Sequence, residues 1–294
     1  MKSTLIISAV QQPCNADQQT NLELSVAKIH EAAAANADLV VLPELHLGPY
    51  FCQSEDPDNF NLAQTIPGPS TEILSTVARK LAIVIVSSIF EKRTAGLYHN
   101  TAVVFDKDGS MAGTYRKMHI PDDPGFYEKY YFTPGDTGFK PITTSIGKLG
   151  VLVCWDQWFP EAARLMALAG AEVLIYPTAI GWDLQDTAQE QNRQLDAWST
   201  IQRSHAVANG LPVISCNRVG FEKAPDSETG INFWGNSFIT GPQGEILTNA
   251  DESETKLLAC AIERSGTERV RQIWPYLRDR RIEEYGDLTK RFID

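Results

Sequence analysis

Residues 149–170 read LGVLVCWDQWFPEAARLMALAG, and this stretch decides the fold. Its first five residues form a nearly uninterrupted apolar run, which is typical of a strand buried on both faces. Pro160, with Glu161 beside it, favours a helix start, and Gly170 favours the end of that helix. The stretch therefore predicts a buried strand, a tight turn and a helix, with Cys154 at the turn.

The same alternation of short apolar runs and helical patterns continues along the chain, which favours an α/β fold. Strands are predicted over residues 4–10, 38–42, 82–90, 101–106, 149–154, 173–176, 212–216, 237–240 and 257–262. Helices are predicted over residues 20–36, 71–81, 160–169 and 189–208. Long loops rich in Gly, Pro and Asp are predicted at 50–69, 120–141, 181–187 and 219–233, and loops of this length often carry function.

One internal echo is visible. Residues 35–44 read ANADLVVLPE, and residues 169–178 read AGAEVLIYPT. Each segment is a helix end, a tight turn, a hydrophobic strand and a proline. Strand preference alone could produce this similarity, or a duplicated β-α-β plan could place both loops at one edge of the sheets.

Composition limits the class of protein. The chain has 294 residues, 43% of them hydrophobic, and a formal net charge of −11. An acidic surface disfavours nucleic acids and anionic membranes and mildly favours cationic ligands. No apolar run reaches the length of a membrane span. The five cysteines are scattered without metal-ligand spacing, which favours a reducing cytoplasm and no metal site.

Three residues could carry chemistry. Cys154 at a strand-to-helix turn could project a nucleophilic thiol into a cleft, although a lone cysteine is more often buried and inert. Glu44 follows the apolar run at 39–42, where a carboxylate could act as a base or simply pair with a cation. Lys117 could stabilise an oxyanion from within a cleft, or it could be part of a solvated basic pair leaving a hairpin.

Three segments occur in one order: LPE at 42–44, YRKMH at 115–119 and CWD at 154–156. Together, 73 and 37 residues apart (117 − 44 and 154 − 117), they resemble the signature of the nitrilase superfamily of carbon–nitrogen hydrolases. Further segments are similar to the N-carbamoylputrescine amidohydrolases of that superfamily: PDDPGFYEKYYFTPGD at 121–136, CWDQWFPEAAR at 154–164, YPTAIG at 176–181 and LRDRR at 277–281.

The resemblance implies a four-layer α-β-β-α sandwich formed by residues 1–294 as one domain. It implies that Glu44 is a general base, Lys117 an oxyanion stabiliser and Cys154 the nucleophile, with no cofactor. Glu128 would orient the lysine and the substrate, and the Trp155 backbone N–H would bind the oxyanion. The resemblance also implies a homo-oligomer, with a C-terminal extension from about residue 264 at the contacts.

The expected substrate is a small cationic ureido compound, hydrolysed to an amine, carbon dioxide and ammonia. Asp183 is predicted either to bind the distal ammonium, with Asp186 and Glu190 as rivals, or only to cap a turn. The side chains predicted to line the substrate channel are Tyr50, Trp155 and Trp182, and His119 is predicted either to line the cleft or to make a structural hydrogen bond. A β-ureidopropionase-like enzyme, an aliphatic amidase and a non-catalytic binding protein on the same fold remain as alternatives.

Overall fold

A computed structural model describes residues 2–225 and 227–293 of the chain. The helices are α1 (Gln18–Ala34), α2 (Pro69–Leu81), α3 (Glu128–Tyr131), α4 (Pro160–Leu168), α5 (Ala188–Asn209) and α6 (Arg264–Ile273). None of the helices in the described residues combines the length and the apolar character needed to cross a membrane.

The strands alternate with these helices as the apolar runs predict. They are β1 (Thr4–Gln11), β2 (Leu39–Val41), β3 (Val84–Thr94), β4 (Leu97–Phe105), β5 (Met111–Arg116), β6 (Ile142–Thr144), β7 (Gly147–Val151), β8 (Val173–Thr178), β9 (Gly181–Asp183), β10 (Val213–Asn217), β11 (Val219–Lys223), β12 (Gly230–Trp234), β13 (Phe238–Thr240), β14 (Ile246–Asn249) and β15 (Lys256–Glu263).

Two mixed sheets form the centre of the molecule. The first has the order β15-β1-β2-β3-β4-β5, and the second has the order β14-β13-β10-β8-β7-β6. β2 runs parallel to both of its neighbours in the first sheet, and β8 does the same in the second. The internal echo therefore corresponds to two equivalent central strands, one in each sheet.

Each sheet is covered by helices on its outer face. Leu39 and Val41 of β2 lie in the core cluster that also contains β7 and β8, whereas Val40 lies in the cluster with α1 and α2. This alternation follows from the two-residue period of a strand. Helices α4 and α5 pack outside the second sheet, with Ala162, Met166 and Ala206 buried. The predicted four-layer α-β-β-α sandwich is confirmed.

Several of the sequence predictions are wrong in detail. The strand predicted to reach Cys154 ends at Val151, because the chain turns into a 3-10 helix at Cys154–Trp158. The loop predicted over 219–233 contains β11 and β12, and β12 also pairs with β9, which lies in the loop predicted over 181–187. These three strands form a small third sheet. The alternation of apolar and polar residues expected of a strand is not evident in β11, because one of its inward positions is occupied by a charged residue, Glu222. The Glu222 residue is 7% exposed and is paired with Arg218.

Candidate active site

The three predicted catalytic residues follow strand ends at one edge of the sandwich. Glu44 comes after β2, Lys117 comes directly after β5, and Cys154 comes after β7. β5 is antiparallel to β4, which is antiparallel to β3, so β5 and β2 point the same way. The strands thus deliver residues that are far apart in sequence to one place. The Glu44 backbone N–H donates to Thr178 O at 3.4 Å, which ties the corresponding loops of the two sheets together.

Lys117 lies between two carboxylates in a fully buried cluster. Its Nζ is 2.8 Å from Glu44 Oε1 and 2.9 and 2.7 Å from the two oxygens of Glu128. All three side chains are 0% exposed. Burial alone would lower the pKa of Lys117, but the charges of Glu128 and Glu44 outweigh it and raise that pKa well above its ordinary value. Lys117 is therefore a permanent ammonium.

Glu128 is held from a second side. The Tyr50 hydroxyl donates to Glu128 Oε1 at 2.7 Å. Burial raises the pKa of Glu128 to about 7, while the Lys117 ammonium acts in the opposite direction. The three donated hydrogen bonds, two from Lys117 and one from Tyr50, suit the ionised form. Glu128 thus accepts hydrogen bonds from both Lys117 and Tyr50.

The turn at Cys154 is strained and braced. Cys154 has φ of 43°, a left-handed conformation that is costly for a residue with a Cβ atom. Asp156 holds the turn, since its Oδ2 accepts from the Val153 N–H at 2.9 Å and from the Tyr115 hydroxyl at 2.8 Å. The Cys154 side chain is left at the base of a cavity, 4% exposed.

Cys154 rests as a neutral thiol. Burial and then the negative charge of Glu44 raise its pKa well above the ordinary value for a cysteine, and the Lys117 ammonium opposes them. A resting thiolate would be poorly solvated beside two carboxylates. The thiol must therefore lose its proton to a base as it reacts, which is general-base catalysis.

A cavity of about 400 Å³ opens above the thiol. Its walls are aromatic and apolar, with Phe126, Trp155, Trp158, Ile180 and Trp234 among them. Carboxylates at Asp123, Asp183 and Asp186 also line it. Among the lining residues that the structure describes there is no Lys or Arg. The cavity thus offers a nucleophile at its base and negative charge on its wall.

Three side chains considered for contact with the substrate, Tyr50, Trp182 and His119, are not among the residues that line this cavity. Tyr50 is 1% exposed and is occupied with Glu128. Trp182 is 6% exposed and donates its indole N–H to Gln191 O at 3.0 Å. The His119 ring stacks on Phe159 with centroids 3.7 Å apart, and its Nδ1 is 2.7 Å from Asp156 Oδ1. Packing and hydrogen bonds hold all three in supporting positions.

The predicted ammonium-binding acids differ in their surroundings. Asp183 is exposed at the end of β9 and lines the cavity, with Oδ1 accepting from the Gln185 N–H. Asp186 also lines the cavity and accepts from Gln194 Nε2 at 3.0 Å. Glu190 lies outside the lining and pairs with Arg193 on α5. Asp183 and Asp186 therefore remain as candidates.

Several residues of the site escaped the sequence analysis. Asn100 donates from Nδ2 to Glu44 Oε1 at 2.7 Å, and it stands opposite Lys117 because β4 and β5 form a hairpin. Arg218 is fully buried and donates to the backbone oxygens of Glu44 and Leu45 at 2.8 and 2.9 Å. A buried arginine is costly without partners, so its function as a clamp is evident only from its contacts.

Comparisons with known proteins agree with this arrangement. The carbon–nitrogen hydrolase family model matches residues 6–272. An N-carbamoylputrescine amidase of Arabidopsis thaliana is 41% identical over 287 residues, covering 97% of this chain and 95% of that protein. A citrullinase of Francisella tularensis is 40% identical, covering 97% of this chain and 98% of that protein.

A solved structure gives the same result. The crystal structure of a carbon–nitrogen hydrolase from Helicobacter pylori G27 superposes with a TM-score of 0.96 at 52% identity, covering 99% of this chain and 100% of that one. A fold match of this extent, together with the family model and the buried Glu44, Lys117 and Cys154 cluster, leads to one conclusion: the chain belongs to the carbon–nitrogen hydrolase family.

Proposed function

We propose that this protein hydrolyses the carbamoyl C–N bond of N-carbamoylputrescine, giving putrescine, carbon dioxide and ammonia through a covalent cysteine intermediate. One observation carries the choice of substrate. The cavity above Cys154 is lined by apolar and aromatic side chains and by the carboxylates of Asp123, Asp183 and Asp186. A substrate with a ureido head, a methylene chain and a distal ammonium matches this combination of surfaces.

The first half of the reaction forms the covalent bond. Glu44 takes the proton from the Cys154 thiol as sulfur attacks the ureido carbonyl carbon. Lys117 Nζ and the Trp155 backbone N–H stabilise the oxyanion that develops. The tetrahedral intermediate collapses with cleavage of one C–N bond. Glu44 returns the proton to the departing nitrogen. Ammonia is released, and a thioester-like carbamoyl group remains bound to Cys154.

The second half releases the product. Glu44, again unprotonated, removes a proton from water as the water oxygen attacks the same carbonyl carbon. The C–S bond breaks, and the proton returns to the sulfur. The released carbamate decomposes to putrescine and carbon dioxide. No group outside the chain is needed for charge or proton balance in this scheme.

A second candidate substrate is citrulline. The citrullinase relative is about as similar to this chain as the N-carbamoylputrescine amidase relative is. Citrulline has the same ureido head, but its distal carbon bears a carboxylate as well as an ammonium. Gln194, Trp155, Trp158 and Trp234 are neutral hydrogen-bond donors in the cavity lining that could bind this additional carboxylate. The absence of Lys and Arg from the described lining favours the substrate with the lone ammonium.

A substrate panel separates these functions. Ammonia release would be measured with N-carbamoylputrescine, L-citrulline, N-carbamoyl-β-alanine and a short aliphatic amide. The proposal predicts the highest kcat/KM for N-carbamoylputrescine. Preference for N-carbamoyl-β-alanine, whose distal group is a carboxylate alone, would contradict it. Preference for citrulline would retain the chemistry and change the assigned substrate.

Replacement of the acid that binds the ammonium should weaken substrate binding. We expect Asp183→Asn to raise KM for N-carbamoylputrescine by roughly 10- to 100-fold, the effect of losing a charged hydrogen bond, with a smaller change in kcat. Asp186→Asn tests the rival acid in the same assay. Asp122→Asn is the matched control, because Asp122 is exposed nearby but does not line the cavity.

The KM values of these variants distinguish the candidate ammonium sites. An increase in KM confined to Asp186→Asn would move the ammonium site to Asp186. Equal KM values for the wild type, Asp183→Asn and Asp186→Asn would exclude both acids as the ammonium site and leave Asp123 as the remaining aspartate of the lining.

We also propose that residues 1–294 act as one domain in a cytoplasmic homo-oligomer. The family model ends at residue 272, and apolar side chains from Ile273 to Ile293 stand exposed beyond it, among them Trp274, Ile282 and Phe292 at 50, 70 and 78%. Exposed apolar surface of this kind supports contact with another copy of the chain. The five free cysteines support a reducing compartment.

A further inference from the structure

The two oxygens of Glu44 have different surroundings. Oε1 receives hydrogen bonds from Lys117 Nζ at 2.8 Å and from Asn100 Nδ2 at 2.7 Å. Oε2 is buried and has no hydrogen-bond partner among the residues that the structure describes. A buried carboxylate oxygen without a partner is costly, so its isolation needs a cause. One oxygen is occupied by two donors, and the other is left for a proton.

The donor on the Glu44 carboxylate is itself fixed by a serine. Ser88 Oγ donates to Asn100 Oδ1 at 3.1 Å. Ser88 Oγ also accepts a hydrogen bond, at 3.2 Å, from the backbone N–H of Leu45, the residue directly after Glu44. Ser88 and Asn100 are both fully buried, on adjacent strands β3 and β4. A hydrogen-bond relay therefore connects the Leu45 backbone to Ser88, Ser88 to Asn100, and Asn100 to the Glu44 carboxylate.

This relay leaves the Asn100 amide one orientation. Ser88 uses an acceptor lone pair on the Leu45 N–H, so its hydroxyl proton is free for Asn100 Oδ1. The amide nitrogen must then face Glu44. The opposite orientation would place an amide oxygen against a carboxylate oxygen. The turn being held is strained, since Leu45 has φ of 47°.

We propose that Asn100, oriented by Ser88, is a positioning residue that selects Oε2 of Glu44 as the proton acceptor in both halves of the reaction. The inference rests on the proposed function, in which Glu44 is the general base. Asn100 does not touch the substrate in this account. It acts by engaging Oε1 and by preventing rotation of the carboxylate, so that the other oxygen stays available to accept a proton from the thiol and later from water.

The chain offers a matched control one residue away. Ser87 precedes Ser88 on β3, is equally buried, and bonds His46 Nε2 at 2.8 Å on the other face of the sheet. Ser87→Ala and Ser88→Ala each delete one buried hydroxyl from the same strand. A general loss of stability should affect both variants, whereas a loss of carboxylate positioning should affect only Ser88→Ala.

The experiment compares kcat, KM and melting temperature for Ser87→Ala, Ser88→Ala, Asn100→Leu and Glu44→Gln. We expect kcat to fall roughly 10- to 100-fold in Asn100→Leu and less in Ser88→Ala, with KM within about twofold of the wild type. Ser87→Ala should keep the wild-type kcat. Ser88→Ala retains the asparagine and is the milder change, so it carries the test if Asn100→Leu does not fold.

A pH profile supplies a readout that a purely structural role would not move. In Asn100→Asp, a protonated carboxyl could still donate to Glu44 Oε1, whereas an ionised one would repel it. We expect kcat/KM of Asn100→Asp to gain a descending limb on the alkaline side when its profile is compared with that of the wild type. An Asn100→Asp profile of wild-type shape would overturn the proposal.

The kinetic outcomes distinguish failure of the proposed general base, Glu44, from failure of the positioning role inferred for Asn100. If Glu44→Gln retains turnover, the proposed general base fails and the inference falls with it. If Glu44→Gln is inactive while Ser88→Ala and Asn100→Leu match Ser87→Ala in kcat, the proposed function survives and only the positioning inference is overturned.

Discussion

Cys154→Ala is expected to lower kcat by at least about 10⁴-fold, because removal of a covalent nucleophile leaves only the residual effect of binding and oxyanion contacts. The melting temperature should stay near that of the wild type, since the change removes a single sulfur at the base of an open cavity. Cys154→Ser should also be nearly inactive, since a hydroxyl is much harder to deprotonate than a thiol. Steady-state ammonia release and thermal unfolding check both expectations.

A second buried cysteine provides the control. Cys216 on β10 is fully buried, with Sγ 3.2 Å from Val10 O and 3.3 Å from Val41 O, inside the core between the sheets. Cys216→Ala should lower stability but retain the wild-type kcat. Turnover above about one per cent of the wild type in Cys154→Ala would contradict covalent catalysis by this residue.

Lys117→Met is expected to affect both stability and catalysis. It leaves Glu44 and Glu128 buried together without a cation, which should lower the free energy of unfolding by about 3–5 kcal/mol. Turnover should fall at least about 10²-fold, because the oxyanion loses its charged donor. Denaturant unfolding and ammonia release measure the two effects separately.

Two further variants separate stability from catalysis. In Lys117→Met/Glu128→Gln a neutral amide replaces one of the two carboxylates, so part of the lost stability should return while turnover stays low. Lys107→Met breaks a pair with Asp38 at a partly exposed site, where Lys107 is 29% exposed, and should cost at most about 1 kcal/mol. Recovery of full activity in the double variant would show that Lys117 serves only to neutralise the carboxylates.

The positions of Glu44 and Cys154 after strands could be predicted from the sequence because strand ends are predictable, whereas their catalytic roles and that of Lys117 were implied only by the resemblance to the nitrilase superfamily. The apolar runs before Glu44 and Cys154 mark buried parallel strands, and parallel strands end at a common edge. The echo between residues 35–44 and 169–178 corresponds to equivalent strands whose loops meet at the Glu44–Thr178 hydrogen bond. Those features required only hydrophobic pattern and position along the chain.

The supporting residues could not be predicted in the same way. Asn100 and Ser88 lie within strands, where a polar residue on its own gives no sign of its partner. Arg218 and Glu222 compensate each other's charge only after β11 folds against the Glu44 turn. Their roles depend on long-range contacts, which neither periodicity nor local propensity encodes.

The central claim is that a thiol, a carboxylate and an ammonium act on one carbonyl group. The most direct test is a crystal structure of Cys154→Ala with N-carbamoylputrescine bound. The account predicts the ureido oxygen at roughly 2.7–3.2 Å from Lys117 Nζ and from the Trp155 N–H, with the distal ammonium against Asp183 or Asp186. A ligand bound with its ureido group away from Lys117, or with its ammonium at the base of the cavity, would contradict it.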